Sequence, residues 1–343
     1  MSGSALRWWD GMRHQLLTRL DRVFRVVACG ALLAASAIGT AWGQAAFPSR
    51  TITLVVPLPA GGTADLLCRL AADKAGGILG QSIVIENRAG GAGGRVGTAS
   101  VLRSPPDGYT LLCAPQLNFS ITHLMFAQAA FDARTMEPVS VLATYPLILL
   151  ARAGLPVADL PEFLAYARAN PGKVNYGHQG KGNTGHLLGE LLMLEGKFKM
   201  AEVPYRGSAP AINDLVAGNI DIVPDYLLAN KQNIDAGLLK LLATGSRERL
   251  KDYPKVATMA ETLPGVYADT WMGVAAPPGT AKEIARKLSD AIRQAIQTPE
   301  LRARIVALEA EPLGNTPEQM AEMIKASTEH WGAVVAAAKI VVE

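Results

Sequence analysis

The chain is 343 residues long, enough for two domains. With 49% hydrophobic and 18% charged residues it is not a disordered chain, and its 33 glycines follow no triplet period of the collagen kind. The net charge of +3 resides in the first 44 residues (Arg7, Arg13, Arg19, Arg22 and Arg25 against Asp10 and Asp21); the remaining 28 basic and 28 acidic residues lack the surplus of many nucleic-acid binders.

Chain order begins with a leader. The positive section ends at Arg25, Val26–Ile38 is the most apolar part, and the small residues of 41–46 offer cleavage after Gly43 or Ala45. A signal peptide over 1–45 is therefore expected. The competing reading is an uncleaved anchor, because no charge occurs from Val26 to Ser49. Against it, the stretch thins into Gly, Thr, Trp and Gln short of the roughly 20 apolar residues a span needs. Cys29 precedes the apolar core, the wrong place for a lipoprotein box, and leaves Cys68 and Cys113 in the mature chain. An oxidising compartment allows them to bond. Spacing does not show that they meet, and buried free thiols are the expected state.

Strand and helix patterns then alternate, as in α/β folds. Thr51–Pro57 is a strand, Pro59–Gly62 a turn, and a helix from about Thr63 places Leu66, Leu67, Leu70 and Ile78 near one face. Ser82–Glu86 and Tyr109–Ala114 are strands flanking a Gly-rich loop (89–94) and a helix through Leu102, and a short helix is expected over 121–129. Pro138–Ala151 is a long apolar run, broken by Pro146, that could cross between domains. Helix 160–169, strand 174–177, helix 186–194, strand 201–205, helix 209–217 and strands 220–223 and 238–244 follow. Val266–Ala276 could cross back, with Trp271 on it as core or hinge packing. The tail is helical over 281–297, 299–309 and 316–339, with Pro317 at a first helical position.

Two places share one physics. Val55–Asp65 and Asn175–His186 each run strand, glycine-rich turn, helix. The first N–H groups of a helix lack partners and carry partial positive charge, and glycine lets a ligand approach the backbone. Such junctions take carboxylate or phosphate. One alone is as readily a tight turn; two together suggest a shared anion cleft. Gly180–Gly185 also matches G-x-G-x-x-G, with Glu202 near the place of a ribose-binding acid, so dinucleotide binding is a rival. The match is short, and an exported chain would leave the cytosolic nicotinamide pool. His178 and His186 flank this loop, but their spacing is not that of a metal pair, and no metal or other cofactor is expected. No G-x-S-x-G elbow or other nucleophile–base pair is present, which disfavours the rival reading as an exported enzyme. Asp225, at a strand end, could face a ligand or cap the following segment.

Taken in order, P-S-R-x-I-x-L-V-V-P (48–57), A-G-G-x-x-D (60–65), P-P-D-G-Y-T-L-L (105–112), N-P-G-K-V-N-Y-G (170–177), H-L-x-G-E-L (186–191), V-P-Y-R-G-x-A-P-A (203–211) and P-E-Q-M (317–320) resemble the periplasmic receptors of tripartite tricarboxylate transporters, also called Bug receptors. The resemblance spans nearly all of the mature chain. It implies a two-lobe α/β fold of the type II periplasmic-binding-protein kind, with 46–146 plus 271–343 as one lobe and 147–270 as the other. It implies a non-enzymatic, monomeric protein of the periplasm that closes on a small carboxylate, binds no nucleic acid, and works with integral-membrane transporter subunits; a ligand-dependent sensor module is the alternative. The implied binding residues are Ala60, Gly61, Gly62, Thr63, Ala64 and Asp65 in the first loop, Gln116 and Asn118 after the third strand, Gly180, Gly182, Asn183 and Thr184 in the second loop, and Asp225 for the distal end. Departures from the family pattern are Thr63, Ala64, His178, Gln179, Lys181 and Pro224.

Overall fold

Short apolar runs build the sheet. The structure, a computed structural model, describes residues 47–90, 92–125 and 132–341. The signal-peptide reading therefore lies outside the described residues. β1 (Ile52–Val56) is almost wholly buried and pairs in parallel with β2 (Ile83–Asn87) and β3 (Thr110–Pro115). A parallel sheet needs helices on its faces. They come from α1 (Thr63–Leu79), α2 (Arg95–Leu102) and two short helices, α3 (Gln116–Ser120) and α4 (Thr122–Met125). The one helix expected over 121–129 thus starts earlier and falls into two pieces, and 126–131 lie outside the described residues.

The long apolar run is one strand, β4 (Glu137–Arg152). Its first part pairs antiparallel with β9 (Asp269–Ala276), down to Pro146 opposite Asp269. From Leu147 onward it pairs with β7 (Ile222–Tyr226) and β8 (Leu239–Thr244). The expected break at Pro146 does not occur. Proline has no N–H to donate, and Pro146 occupies the point where the strand changes partners.

In the second half, α5 (Leu160–Ala169), β5 (Asn175–His178), α6 (Thr184–Gly196), β6 (Ala201–Pro204) and α7 (Ser208–Ala217) lead into β7, and α8 (Leu227–Asp235) into β8. The helix α8 was not expected, because LLANKQNID carries little apolar periodicity. After α9 (Met259–Thr262) the chain returns along β9. It ends with α10 (Lys282–Gln297), α11 (Pro299–Val306), β10 (Glu311–Pro312) and α12 (Pro317–Ala337). The strand order is β2-β1-β3-β9-β4-β7-β5-β6, with β8 and β10 also paired to β4.

Two expectations about packing are corrected. The buried stripe of α1 is Leu67, Cys68, Ala71, Ala72 and Ala75, while Leu66 and Ile78 are about two-fifths exposed (40% and 43%). Small residues let α1 lie close to the sheet and α10, so the bulkiest side chains do not mark the inner face. That approach also brings Cys68 over Cys113 of β3, with Cα atoms 6.2 Å apart, and the two form a disulfide rather than free thiols. Trp271 is core: it stacks on Phe119 at 5.5 Å. The last helix serves both halves. Met320, Met323 and Ile324 pack on the core around Trp271, whereas Trp331, Val334 and Val335 join the core of the second half.

Candidate functional site

The first junction is held by a buried carboxylate. Asp65 is 2% exposed. Its Oδ2 accepts from the Gly61 N–H and Arg69 Nε, each at 2.9 Å, and its Oδ1 accepts from Asn87 Nδ2 at 2.9 Å. Asn87 Nδ2 also donates to Leu58 O at 3.1 Å, and Arg69 Nη2 to Asn87 Oδ1 at 2.8 Å. Burial pushes the Asp65 carboxyl up, but the bonds from Arg69, Gly61 and Asn87 outweigh it and hold it below the usual carboxylate range. Asp65 and the Gly61 N–H are thus spent on shaping the turn. Gly62 is the cap residue of α1 and offers no side-chain bond, Thr63 opens the helix, and the first-turn N–H groups lack helical acceptors.

The second junction is built differently. The Gly180 N–H donates to His178 Nδ1 at 3.1 Å, and the Gly182 N–H to His186 Nδ1 at 3.3 Å. Both imidazoles turn Nε2 toward Glu202 Oε1, at 2.9 Å and 3.5 Å. Glu202, placed by sequence as a ribose-binding acid, is engaged by these two rings. Burial pushes both imidazoles down, that of His178 against the pull of Glu202, and that of His186 to about 4. The three side chains offer ligand atoms within 4.8 Å of one another, a cluster that the spacing of the histidines alone does not reveal, since Glu202 comes from the next strand. Asn183 caps α6 without a side-chain bond to the helix. Thr184 Oγ1 donates to Asn183 Oδ1 at 3.1 Å and shares a bond with Tyr226 Oη at 2.7 Å.

Between the junctions lies a cavity of about 490 Å³. Ala60, Gly62, Ala64, Asn118, Asn183, Thr184 and Asp225 line it, joined from the sequence-expected set by no other residue whose side chain is described. Gly61, Asp65, Gly180 and Gly182 shape the two loops instead. Gln116 does not line this cavity: its Nε2 donates to Ser327 Oγ at 2.6 Å, and it borders a separate pocket of about 160 Å³ beside Trp271 and Trp331. A residue at the start of α3 can face either side of the sheet end, and the packing of α12 decides which.

Asp225 is 1% exposed. Its Oδ2 accepts from Ser208 Oγ and from Asn230 Nδ2, while Oδ1 has no partner among the described residues. Burial raises its carboxyl above the usual range despite these bonds. Gly207 and Ser208 open α7, and Tyr226 and Leu227 open α8, neither helix having a side-chain cap. All four residues line the cavity, so among the described residues the N-termini of α7 and α8 meet there with those of α1 and α6 and with the short α3. These residues were not singled out by sequence. The signal was present in Tyr205-Arg206-Gly207-Ser208, a third passage from strand through glycine to helix. Apolar wall comes from Leu58, Pro59, Leu117, Tyr145 and Leu308, none of them evident before folding. No Lys, Arg or His is among the described lining residues, and Glu309 is one of them. Glu309 pairs at 3.6 Å with Lys231 of α8 and precedes β10, which pairs with the first part of β4. This ion pair therefore joins the two halves of the sheet beside the cavity.

Residues 67–340 match the family described as the tripartite tricarboxylate transporter family receptor. The UPF0065 protein of the tcbD-tcbE intergenic region of Pseudomonas sp. (strain P51) is 36% identical over 310 residues, covering 90% of this chain and 92% of its own. Among solved structures, R. palustris Rpa4515 with adipate is 33% identical, with a TM-score of 0.75 over 86% of this chain and 99% of its own. MatC (Rpa3494) from Rhodopseudomonas palustris with bound malate is 32% identical, with a TM-score of 0.73 over 84% of this chain and all of its own. The fold is the α/β fold of such periplasmic binding proteins.

Proposed function

The chain belongs to the tripartite tricarboxylate transporter receptor family, and from that premise we propose that it is an exported, periplasmic, non-enzymatic binding protein that captures a small carboxylic acid and presents it to membrane transporter subunits. One observation carries the reading: the N-termini of α1 and α6, neither with a side-chain cap bond, open on a single cavity of about 490 Å³. Their N–H groups and dipoles meet a carboxylate without a basic side chain. The volume lies within the range of about 300–1,000 Å³ usual for small-molecule sites. The relatives solved with adipate and with malate support the same ligand class here.

In the mechanism, the lobes formed by 46–146 with 271–343 and by 147–270 close about the crossing strands β4 and β9. The carboxylate bridges Gly62–Ala64 on one side and Asn183–Thr184 on the other. Closure adds the second lobe's contacts, so ligand shifts the open–closed balance. Asp225 Oδ1 accepts a hydroxyl or amine at the far end, and the apolar wall of Leu58, Leu117 and Leu308 holds the carbon chain.

A thermal-shift screen of the mature chain against mono-, di- and tricarboxylates, amino acids and aromatic acids tests this. One acid should stabilise the protein by about 2.7 kcal/mol at a hundred times its dissociation constant. No shift from any acid, before and after refolding from denaturant, together with a shift from a nucleotide, would overturn it.

A further inference from the structure

The two imidazoles under the second loop are poised by their hydrogen bonds. A backbone N–H only donates, so His178 Nδ1 and His186 Nδ1, at 3.1 Å and 3.3 Å from the Gly180 and Gly182 nitrogens, must each present a lone pair. Each neutral ring then carries its proton on Nε2. Both Nε2 atoms face one acceptor, Glu202 Oε1, at 2.9 Å and 3.5 Å. The rings lie 4.8 Å apart and both are buried. The other groups facing them are Glu190 of α6, 3.9 Å from His186 Nε2 and bonded by Tyr176 Oη of β5 at 3.2 Å, and Lys181, exposed on the loop itself.

The same bonds argue against a metal at this cluster. A metal takes the lone pair of Nε2 and leaves the proton on Nδ1. Two Nδ1–H groups would then confront the N–H groups of Gly180 and Gly182, donor against donor.

We propose that His178 and His186 are positioning residues of the ligand loop, each holding one loop N–H on a neutral Nδ1, and that acid which charges either ring unlatches the loop and weakens ligand binding. Protonation puts a hydrogen on Nδ1, where the Gly N–H already points. The loop must then turn its peptides away, and Asn183 and Thr184, which line the cavity, move with it. Gly180 and Gly182 hold φ of 117° and 76°, a region that glycine adopts without strain, so the turn itself adds no resistance when its peptides rotate. The effect on ligand rests on the carboxylate reading above; the latch itself does not. Burial favours the neutral rings, so the latch is whole above about pH 6.5 and opens as the pH falls toward about 4.

The test uses the mature chain with 15N-labelled histidine and glycine, titrated from neutral to acid pH without ligand. Both rings should show the Nε2–H tautomer when neutral, and the Gly180 and Gly182 amide signals should shift with the same midpoint as the rings. An Nδ1–H tautomer in either ring, amides that ignore the titration, or replacement of the Nε2–H signals on adding zinc with a rise in stability would overturn the proposal. Adipate binding by calorimetry supplies a second arm, with affinity falling on the order of tenfold from neutral pH to about pH 4. His178→Asn and His186→Asn place an uncharged oxygen near Nδ1, so affinity should persist at neutral pH and lose most of its acid response; His178→Phe, with no acceptor, should bind weakly throughout. Some loss from protonation of the adipate carboxylates is common to every variant; asparagine variants that lose as much affinity in acid as the parent protein would sink the latch. If neither adipate nor any other acid binds, the carboxylate reading fails, and the tautomers and glycine amides alone decide the latch.

Discussion

The two strand–glycine–helix junctions perform one task with opposite chemistry. At the first, an ionised carboxylate holds the turn: Asp65 accepts from Gly61, Arg69 and Asn87. At the second, two neutral imidazoles do so, and a carboxylate stands behind them. The first is further tied by the disulfide from α1 to β3. The difference teaches that an exposed row of helix N–H groups can be kept free for a ligand by satisfying the neighbouring loop N–H groups from behind, and that the choice of acceptor sets the pH at which the loop gives way.

Removing the covalent tie should have the largest effect. Cys68→Ser with Cys113→Ser opens a loop of 45 residues' separation and should cost about 4 kcal/mol in urea unfolding. A loss under about 1 kcal/mol would mean that the bridge adds little to the first junction. Next comes acid. Folded His186 is harder to protonate than the free ring; below about 6.5 the unfolded chain takes up protons that the folded chain refuses. Stability is therefore whole above 6.5 and declines until about pH 4, by on the order of 3 kcal/mol. Asp65 is held below 3.8, so its contribution persists through that window and fades only in stronger acid. Protection of the Gly180 and Gly182 amides, taken relative to their intrinsic exchange rates, should fall between pH 6.5 and pH 4 while that of Gly61 is kept. Equal response at both loops would erase the contrast.

Asp65→Ala strands the Gly61 N–H and the Asn87 amide, and should cost about 2 kcal/mol by chemical denaturation. Arg69, about half exposed, contributes little to that figure. At the far wall, Asp225→Ala, which removes the acceptor, should weaken malate about tenfold more than adipate, since only malate carries a hydroxyl for Oδ1; equal loss for both would make Asp225 a support for Ser208 and Asn230. The smallest effect should come from Lys231→Met. Its pair with Glu309 is partly exposed, so stability should change by a few tenths of a kcal/mol, with a faster ligand off-rate that high salt reproduces in the parent protein.

Much of this architecture was legible beforehand. Leu160–Ala169 begins and ends where its apolar spacing and Asp159 cap place it, and Pro317 opens the last helix inside a Thr316–Gln319 capping box. Such signals are local, so they survive any tertiary arrangement. Both glycine-rich junctions were legible for the same reason. Gln116 was misplaced because the side of α3 it occupies depends on α12, some 200 residues away in the chain, where Ser327 takes its amide. α1 misled because, apart from Leu67, its inner face is made of alanines and a cysteine, which apolar size does not rank first.

The sequence by itself determined the alternation of strand and helix, the two turns rich in glycine, and the family to which the chain belongs. These depend on residues within a few positions of one another. Tertiary structure decided which loop N–H groups are already bonded within the protein. Gly61 lost its donor to Asp65, and Gly180 and Gly182 lost theirs to His178 and His186. It also paired Cys68 with Cys113, and brought Glu202 beneath both imidazoles. A hydrogen bond is settled by distances of about 3 Å, and no spacing along the chain fixes such a distance until the strands are laid side by side.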